Sequence, residues 1–320
     1  MQEILKTAHN VSQISRQVHI NEEALTDFSN KLAAGPIEIP PWDLRYHFFD
    51  GSERTVFYLL LLDTLNFCFW PARKKRRWEI IYKSEDLSGY YALAASLKKA
   101  IETGIPITSA EYLAGISLDA LKKILDGKGE LQLMENRLHA LHELGRFLLD
   151  KYDGQAIGLV EDAKNSAAEL VRLLVENLSS FQDMAYYLDH KVYFCKRAQI
   201  FAADLHGAFG GKDWGCFKNI HELTAFADYK LPQVLRHLGI LRYREDLAKK
   251  VDQEIYLEAG GPEEVEIRAN TIWAVELIRG ALSGLGKDLK SFEIDWILWN
   301  MGQQNAFKAK PYHRTVTIFY

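Results

Sequence analysis

The chain has 320 residues, of which 48% are hydrophobic and 26% charged, so it can bury a sizeable core and the disordered class is excluded. Its formal net charge of −4 at pH 7 disfavours a dedicated duplex-DNA binder, because such proteins usually carry a clear basic excess. Three cysteines without CxxC spacing exclude a disulfide framework and a conventional structural zinc site, and they indicate a reducing compartment, the cytoplasm.

Helical periodicity runs through most of the chain. In chain order, the predicted helices cover residues 11–34, 56–70, 109–116, 118–125, 131–152, 156–177, 181–209, 229–238 and 263–282. The first should end at Gly35-Pro36, and the helix over 109–116 should begin with the capping-box spacing of residues 108–111. Two short segments, 78–82 and 314–320, are rich in β-branched and aromatic residues and predict strands.

Long helices with short connections predict a mainly α fold with a few short strands. Neither alternating βαβ units nor a GxGxxG motif is present, which makes a Rossmann enzyme a poor fit. We expect residues 1–320 to form a single large helical unit, either undivided or in two lobes with the active-site cleft between them. The most apolar window, residues 56–70, is too short to cross a bilayer and includes Asp63 and Asn66, so no membrane segment is expected.

Two clusters of chemically active side chains also have ordinary explanations. The basic run over residues 73–77 could bind nucleic acid, but a solvated loop leading into a strand explains it more simply. Glu135, His139 and Glu143 have the i, i+4 spacing that could hold a metal, with His142 beside them. No second motif supplies further ligands, so we predict neither a metal site nor a cofactor.

Asp228 stands where the cap of the helix over residues 229–238 belongs. A carboxylate at this position can simply cap the helix. It can also be held ionised by the free N–H groups and by the positive end of the helix dipole. Cleavage of a glycosidic bond needs such an ionised, oriented carboxylate beside the developing oxocarbenium ion, so Asp228 is the candidate catalytic residue.

The segment over residues 189–204 carries a second group of polar side chains. On a helix, Asp189, Tyr193 and Asp204 would lie near one another in successive turns, together with Lys196 or Arg197. The two cations interrupt a stretch of apolar and aromatic residues, which is unfavourable unless they are paired or bind an anion. A salt-bridged amphipathic helix explains the pattern equally well.

The first hundred residues concentrate aromatic side chains and interleave them with His47, Asp50 and Asn66. Rings mixed with polar groups suit a pocket for a flat heterocycle, which would stack on the ring faces and form hydrogen bonds at its edge. A large aromatic core explains the same composition.

Several segments, spread in order over nearly the whole chain, resemble the queuosine salvage protein family, the queuosine 5′-phosphate N-glycosylase/hydrolases. They are residues 47–51 (HFFDG), 65–71 (LNFCFWP), 89–93 (GYYAL), 196–200 (KRAQI), 203–205 (ADL), 226–233 (FADYKLPQ) and 311–320. The resemblance implies a helical fold related to helix-hairpin-helix DNA glycosylases, and hydrolysis of queuosine 5′-monophosphate to release queuine. The glycine-rich hairpin with which such glycosylases grip duplex DNA is not recognisable over residues 210–223.

The resemblance implies a role for each candidate residue. Asp228 would orient or deprotonate the attacking water and face the ribosyl oxocarbenium ion. Lys196 would neutralise the 5′-phosphate, with Lys230 or Arg197 in reserve. Asp204 would meet either the guanine-like edge of the base or the cationic amine on its cyclopentenediol arm. The base pocket would be formed by His47, Phe48, Asn66, Trp70 and Tyr91.

Queuine is a 7-deazaguanine, so the ring position that purine hydrolases protonate is a carbon atom and cannot accept a proton. The leaving base must instead be stabilised by hydrogen bonds around its pyrimidine ring. The implied partner is a small nucleotide, with queuosine itself as a second substrate, and no nucleic acid directly. Two alternatives stay open: a base-excision glycosylase acting on damaged DNA, and a non-catalytic nucleobase-binding protein.

Overall fold

Helices dominate the computed structural model of the chain, which describes residues 1–72 and 75–320. Over these residues the α-helices are α1 (Gln2–Ile14), α2 (Glu22–Ala34), α3 (Glu53–Leu65), α4 (Tyr90–Glu102), α5 (Ala110–Gly115), α6 (Leu118–Ile124), α7 (Met134–Tyr152), α8 (Ala156–Asp162), α9 (Ala167–Asn177), α10 (Lys196–Ala208), α11 (Lys230–His237), α12 (Glu245–Asp252), α13 (Pro262–Gly284) and α14 (Ser291–Met301). The prediction of a mainly α fold is confirmed. None of these helices combines the length and the apolar character that a membrane crossing requires.

Six short strands form three antiparallel two-stranded sheets in the described residues, as expected for a fold with little β-structure. The pairs are β1 (Val18–Ile20) with β6 (Leu241–Tyr243), β2 (Glu79–Tyr82) with β3 (Glu85–Ser88), and β4 (Met184–Tyr187) with β5 (His190–Tyr193). The strand predicted over residues 78–82 is β2. The strand predicted over residues 314–320 is wrong, because this segment is irregular and forms only an isolated bridge between Arg314 and Tyr256.

Helix α3 lies in the largest of the three hydrophobic cores that the described residues form. Eleven of its 13 residues are buried, and it packs against α4, α7, α8 and α10. A helix that is apolar on all sides belongs inside a core, as the sequence predicts for this segment. The second core joins α2, α11, α12, α13 and α14. Helix α13 contributes to both, with Val265 and Ala269 in the first core and Ile267 and Ile278 in the second.

The helix predicted over residues 11–34 is two helices, α1 and α2, separated by β1. The Oε2 atom of Glu266 accepts hydrogen bonds from the backbone N–H groups of Arg16, Gln17 and Val18, and β1 then pairs with β6. Both partners are far away in sequence, so local periodicity could not reveal the break. The end of α2 at Ala34, before Gly35, is confirmed.

The helix predicted over residues 181–209 is wrong in its first half. Residues 184–193 form the β4–β5 hairpin, whose turn places Leu188 and Asp189 at positive φ, and α10 begins at Lys196. The stretch 156–177 is likewise two helices, α8 and α9, with Lys164 and Asn165 at positive φ between them. Left-handed residues cannot continue a right-handed helix, so each of these pairs marks a boundary.

Helix α3 ends at Leu65, five residues before the predicted end. The buried guanidinium of Arg137 donates hydrogen bonds to the backbone carbonyls of Leu65, Phe67 and Cys68. These carbonyls are available because the chain leaves the helix there. The segment 66–70 is therefore a loop, which changes the direction of Asn66 and Trp70 relative to a continuous helix.

Candidate active site

A cavity of about 660 Å³ brings most of the predicted site residues together. Its walls come from the loop at residues 39–47, from α4, α10 and α14, and from the segment 226–229 before α11. Six of the nine predicted residues line it: His47, Asn66, Tyr91, Lys196, Asp204 and Asp228. The other three, Phe48, Trp70 and Lys230, do not line this cavity.

Asp228 is buried at the cavity wall and caps α11. Its Oδ1 accepts hydrogen bonds from the backbone N–H groups of Lys230 at 2.7 Å and Leu231 at 3.0 Å. Its Oδ2 takes part in no hydrogen bond within the described residues, so one carboxylate oxygen is left for a ligand. The cap predicted from sequence is thus present and leaves half of the carboxyl group free.

The protonation of Asp228 differs from the expectation that the helix N-terminus alone holds it ionised. Burial raises the pKa of this carboxyl group above its ordinary value of 3.8, and this effect outweighs the charge of Lys196 and the two N–H groups, which lower the pKa. A raised pKa makes a carboxylate a stronger base. The surroundings of Asp228 therefore suit it to accept a proton during the reaction, rather than to stay charged throughout.

Two buried side chains hold the segment that carries Asp228. The Oδ1 atom of Asp295 accepts a hydrogen bond from the N–H of Phe226 at 2.7 Å, and Nε of Arg268 donates to the carbonyl of Ala227 at 3.0 Å. Arg268 also pairs with Asp183 at 2.6 Å and 2.8 Å. Asp183 in turn accepts a hydrogen bond from the backbone N–H of Lys196 at 3.0 Å. The Arg268–Asp183 pair thus connects the backbone positions of Lys196 and Asp228.

We expect Arg268→Met to lower the free energy of unfolding by about 3–5 kcal/mol, because it leaves the buried carboxylate of Asp183 without its partner. Denaturant unfolding followed by circular dichroism measures the change. Arg279→Met is the matched control, since Arg279 and Glu276 form a partly exposed pair whose loss should be about 1 kcal/mol or less. Similar losses in both variants would contradict a structural role for the buried pair.

Lys196 occupies the first position of α10, after Cys195 at positive φ. Its side chain is buried and its ammonium group makes no hydrogen bond in the described part of the chain. Burial lowers the pKa of Lys196, and the largest effect in the other direction is the charge of Asp228, which raises it. The two groups therefore shift each other in opposite directions without a direct ion pair. Asp204 lies two turns further along the same face of α10 and also lines the cavity.

The other members of the predicted constellation do not join this site. Asp189 and Tyr193 belong to the β4–β5 hairpin, so the helical stacking expected for them is wrong. The guanidinium of Arg197 donates hydrogen bonds to the backbone carbonyls of Asp63, Thr64 and Ser180. Arg197 thus cross-links three backbone segments in the core and does not line this cavity.

His47, Tyr90 and Asp204 form a row of hydrogen-bonded groups at the cavity wall. Nδ1 of His47 lies 2.6 Å from the carbonyl of Asp43, and its Nε2 lies 2.9 Å from the hydroxyl of Tyr90. That hydroxyl lies 3.3 Å from Oδ2 of Asp204. Burial lowers the pKa of His47 to about 4 and raises the pKa of Asp204 to about 8. Tyr90 was not among the predicted site residues, although its neighbour Tyr91 was.

Helix α14 contributes a wall that sequence analysis missed entirely. Phe292, Trp296 and Trp299 present rings to the cavity, and Asp295 lies among them. The alternation of aromatic, acidic and aliphatic residues over 292–299 gives no polar face, which is the available signal for a buried helix. A predicted aromatic pocket is therefore present, but three of its ten Phe, Trp and Tyr rings come from α14.

Phe48, which is partly buried, and Trp70, which is fully buried, pack against other side chains instead of lining the cavity. The ring of Phe48 lies 5.8 Å from Tyr58 and beneath the guanidinium of Arg54. Trp70 is fully buried, with its ring 5.0 Å from that of Tyr229, which does line the cavity. Trp70 can therefore support the cavity wall only indirectly, through Tyr229 and through Tyr320, whose ring lies 6.3 Å from that of Trp70 and also lines the cavity.

A second cavity of about 480 Å³ adjoins the first and collects cationic side chains. Lys230, Arg77, Lys308 and Arg314 line it, as do the acidic residues Asp252 and Glu254. Arg236 binds Asp252 at 2.7 Å and Arg314 binds Glu254 at 2.5 Å, so both carboxylates are already paired. Burial, with the charges of Arg77 and Lys308, lowers the pKa of Lys230 to about 8. The four rings that border both cavities belong to Tyr90, Tyr91, Tyr229 and Trp299.

Two other sequence patterns have structural outcomes. Within the basic run, Arg73 and Lys74 lie outside the described residues, whereas Arg77 lines the second cavity. Glu143 accepts hydrogen bonds from the backbone N–H groups of Ser179 and Ser180, which occupies the carboxylate that was considered for a metal. In residues 1–72 and 75–320, no group of three or more His, Cys, Asp or Glu side chains is arranged to hold a metal ion.

Comparison with known proteins identifies the family. The family model described as "Queuosine salvage protein" matches residues 46–320, a range that contains every candidate site residue. The chain belongs to the queuosine salvage protein family. Within it, a Sphaerobacter thermophilus protein is 44% identical over 317 residues, covering 99% of this chain and 97% of the relative. A Mus musculus protein is 36% identical, with 98% of both chains covered. Both carry the name queuosine 5′-phosphate N-glycosylase/hydrolase, as does a Schizosaccharomyces pombe protein at 31% identity, with 99% of this chain and 96% of the relative covered.

Proposed function

We propose that this protein hydrolyses the N-glycosidic bond of queuosine 5′-phosphate and releases queuine. The names of its relatives support this reaction, and membership of the queuosine salvage protein family supports its place in salvage. The observation that carries the proposal is the free Oδ2 of a buried carboxylate, Asp228, in the wall of a ring-lined cavity. Such a cavity excludes water around a flat base and keeps one proton acceptor beside it.

In this proposal Asp228 acts on the sugar side of the bond. Its Oδ1 is fixed by two N–H groups, so Oδ2 has a defined position from which it can orient and deprotonate one water molecule. Until it takes that proton, the negative charge of Asp228 also stabilises the oxocarbenium ion that develops at the anomeric carbon. Lys196 lowers the pKa of Asp228 and thereby raises the fraction of the base form at neutral pH.

The aromatic walls suit the base. His47, Asn66 and Tyr91 line the first cavity with rings from α14 opposite them, which supports their predicted role in base binding. A 7-deazaguanine offers flat faces for stacking and several polar atoms at its edge, and the cavity supplies both rings and polar side chains. Trp70 lies behind the ring of Tyr229, so in this proposal it supports the pocket rather than touches the substrate. Phe48 packs against Tyr58 and does not line the cavity, so it has no role in base binding in this proposal.

We place the 5′-phosphate in the second cavity, beside Lys230. Lys230 donates hydrogen bonds only to neutral oxygens, those of Gln233 and Gly302, both at 3.3 Å, and no ion pair within the described residues involves Lys230, Arg77 or Lys308. Cations gathered without carboxylate partners favour a bound anion. Lys196 was predicted for the phosphate, but its charge already faces Asp228, so the surroundings favour Lys230.

We expect Lys230→Met to lower kcat/KM for queuosine 5′-phosphate by roughly 10- to 100-fold, because one charge-assisted hydrogen bond to the phosphate is lost. The same variant should hydrolyse queuosine, which has no phosphate, at nearly the wild-type rate. Steady-state kinetics with both substrates measures the difference. Lys249→Met is the control, since Lys249 pairs with Glu245 on the surface. Equal losses on both substrates would contradict the phosphate assignment.

The direct test of the proposed function is incubation of the purified protein with queuosine 5′-monophosphate, followed by mass detection of free queuine. Release of the base supports the hydrolase. Binding of queuine without cleavage of either nucleotide or nucleoside would favour a non-catalytic nucleobase-binding protein. Release of a damaged base from duplex DNA, with salt-sensitive binding, would favour a DNA glycosylase.

We also propose a fold relationship, a single functional unit and a cytoplasmic location for this protein. We infer a relationship to helix-hairpin-helix DNA glycosylases, supported by a helical fold in which a carboxylate stands at the start of a helix beside a base-sized cavity. Both cavities take side chains from the N-terminal and C-terminal parts of the chain, which supports a single functional unit over residues 1–320. A cytoplasmic location and a nucleotide partner, without direct nucleic-acid binding, stay predictions.

A further inference from the structure

The hydrogen bonds around His47 have a direction that the structure determines. The carbonyl oxygen of Asp43 can only accept, so Nδ1 of His47, at 2.6 Å, must carry the proton. His47 is buried and its pKa is lowered to about 4, so the ring is neutral near pH 7 and Nε2 carries no proton. Nε2 must therefore accept a hydrogen bond from the hydroxyl of Tyr90 at 2.9 Å.

The same assignment of donors and acceptors determines the protonation of Asp204. Tyr90 has a single hydroxyl proton, which it gives to His47, so its oxygen can only accept at its second contact. The partner at that contact is Oδ2 of Asp204, 3.3 Å away. A hydrogen bond between the two oxygens therefore requires the proton to be on Asp204. The row of contacts thus specifies a neutral carboxylic acid at the cavity wall.

The surroundings of Asp204 agree with a neutral acid. Burial is the largest influence and raises its pKa to about 8, against the opposing charge of Lys196. A hydroxyl proton directed at Asp204 would lower this pKa as well, but in this arrangement the proton of Tyr90 is directed at His47. The titratable and charged groups that face it are His47 from the loop, Tyr58 and Asp63 from α3, Tyr90 from α4, Lys196 from α10 and Asp295 from α14. Most of these are neutral or negatively charged, and like charges also disfavour ionisation.

The proposed reaction needs an acid. When the bond between the anomeric carbon and the glycosidic nitrogen breaks, its electron pair stays on the base, and the anion is a poor leaving group unless it receives a proton. The ring carbon that replaces a purine nitrogen cannot be protonated in advance. Asp228 works as a base on the sugar side in our proposal, so the proton must come from another group in the cavity.

We propose that Asp204 is the general acid that protonates the departing base, with Tyr90 and His47 as positioning residues. The inference rests on the proposed hydrolase function. When substrate is bound, the proton on Oδ2 of Asp204 turns from Tyr90 to the base and moves to a ring nitrogen as the glycosidic bond breaks. The water oxygen bonds to the anomeric carbon and its proton passes to Asp228. Asp228 then loses that proton to solvent and Asp204 takes one up, which restores both groups.

Two carboxyl groups with different environments would thus divide the acid and base roles in one cavity. Asp228 keeps one oxygen on two N–H groups, which favour its charged form, whereas Asp204 meets a hydroxyl group whose proton points away from it. Asp295, a further buried carboxyl group that lines the cavity, accepts a hydrogen bond from Phe226 and holds the loop before Asp228. Geometry therefore separates the acid from the other two.

The test compares two substrates, one whose leaving group must be protonated and one whose leaving group departs as an anion. In Asp204→Asn, kcat for queuosine 5′-phosphate should fall by roughly 10²- to 10⁴-fold. With 4-nitrophenyl riboside 5′-phosphate, whose leaving group departs without protonation, the same variant should lose less than about threefold in kcat. Retained activity on this second substrate also shows that the variant folds. Asp228→Asn should lose activity on both substrates, since both require attack at the sugar.

A pH profile provides an independent readout. The acid form of Asp204 is the active one, so wild-type kcat/KM should fall as the pH rises through about 8, and this limb should be absent in Asp204→Asn. Equal losses by Asp204→Asn on both substrates, or wild-type release of queuine by that variant, would overturn the proposal. Failure of the wild-type protein to release queuine while it cleaves the nitrophenyl substrate would instead reject the proposed natural substrate.

Discussion

Replacing Asp228 with Asn should lower turnover of queuosine 5′-phosphate by roughly 10³-fold or more, because the variant loses both the base and the negative charge that faces the oxocarbenium ion. The amide oxygen of Asn can still accept the hydrogen bonds from Lys230 and Leu231, so the start of α11 should keep its structure. Single-turnover release of queuine, followed by mass detection, measures the chemical step.

The control for this variant is the binding of free queuine, measured by calorimetry. Its affinity should stay within a few-fold of the wild type, because the base occupies the ring-lined part of the cavity. Wild-type release of queuine by Asp228→Asn would remove this residue from the mechanism. A loss of queuine binding equal to the loss of turnover would show that the substitution damages the cavity itself.

Lys196→Met should lower activity at pH 7 by roughly 10²-fold, with partial recovery at higher pH. The charge of Lys196 lowers the pKa of Asp228, so its removal raises that pKa further and leaves less of the base form at neutral pH. Activity requires the base form, and the acidic limb of the kcat/KM profile should therefore move to higher pH. Profiles measured with queuosine 5′-phosphate and with queuosine should shift together.

The two substrates separate this role from the others considered for Lys196. A loss of activity on queuosine 5′-phosphate alone would indicate that Lys196 binds the 5′-phosphate. A protein–sugar adduct trapped by borohydride in the wild type and absent from Lys196→Met would indicate a Schiff base on this lysine. A smaller loss with an unmoved acidic limb would contradict any influence of Lys196 on Asp228.

The sequence predicts those features of the site whose geometry is local. Asp228 caps α11 because an acidic side chain just before a helix can reach the first free N–H groups without help from elsewhere. Lys196 and Asp204 share a cavity because residues eight apart lie on one face of α10. The buried character of α3 also follows from its own residues.

Prediction failed where distant segments decide the outcome. The β1–β6 pair, the Arg137 contacts that end α3 and the β4–β5 hairpin each depend on partners that periodicity does not show. The same reason explains the unpredicted roles in the site. Tyr90 becomes important only because α4, the loop at His47 and α10 meet at its hydroxyl. The family resemblance implies a place for Trp70 in the base pocket, yet its ring packs in a separate cluster with Phe67 and Tyr320.

The pairing of Arg268 with Asp183 has a consequence for how this enzyme can change over evolution. One carboxylate holds both the start of α10 and the arginine that fixes the carbonyl before Asp228. Substitutions that loosen this contact would disturb the positions of Lys196 and Asp228 and the interior at the same time. New substrate preferences are therefore more accessible through the rings of α14 and the cationic residues of the second cavity, where side chains can vary without moving the reacting groups.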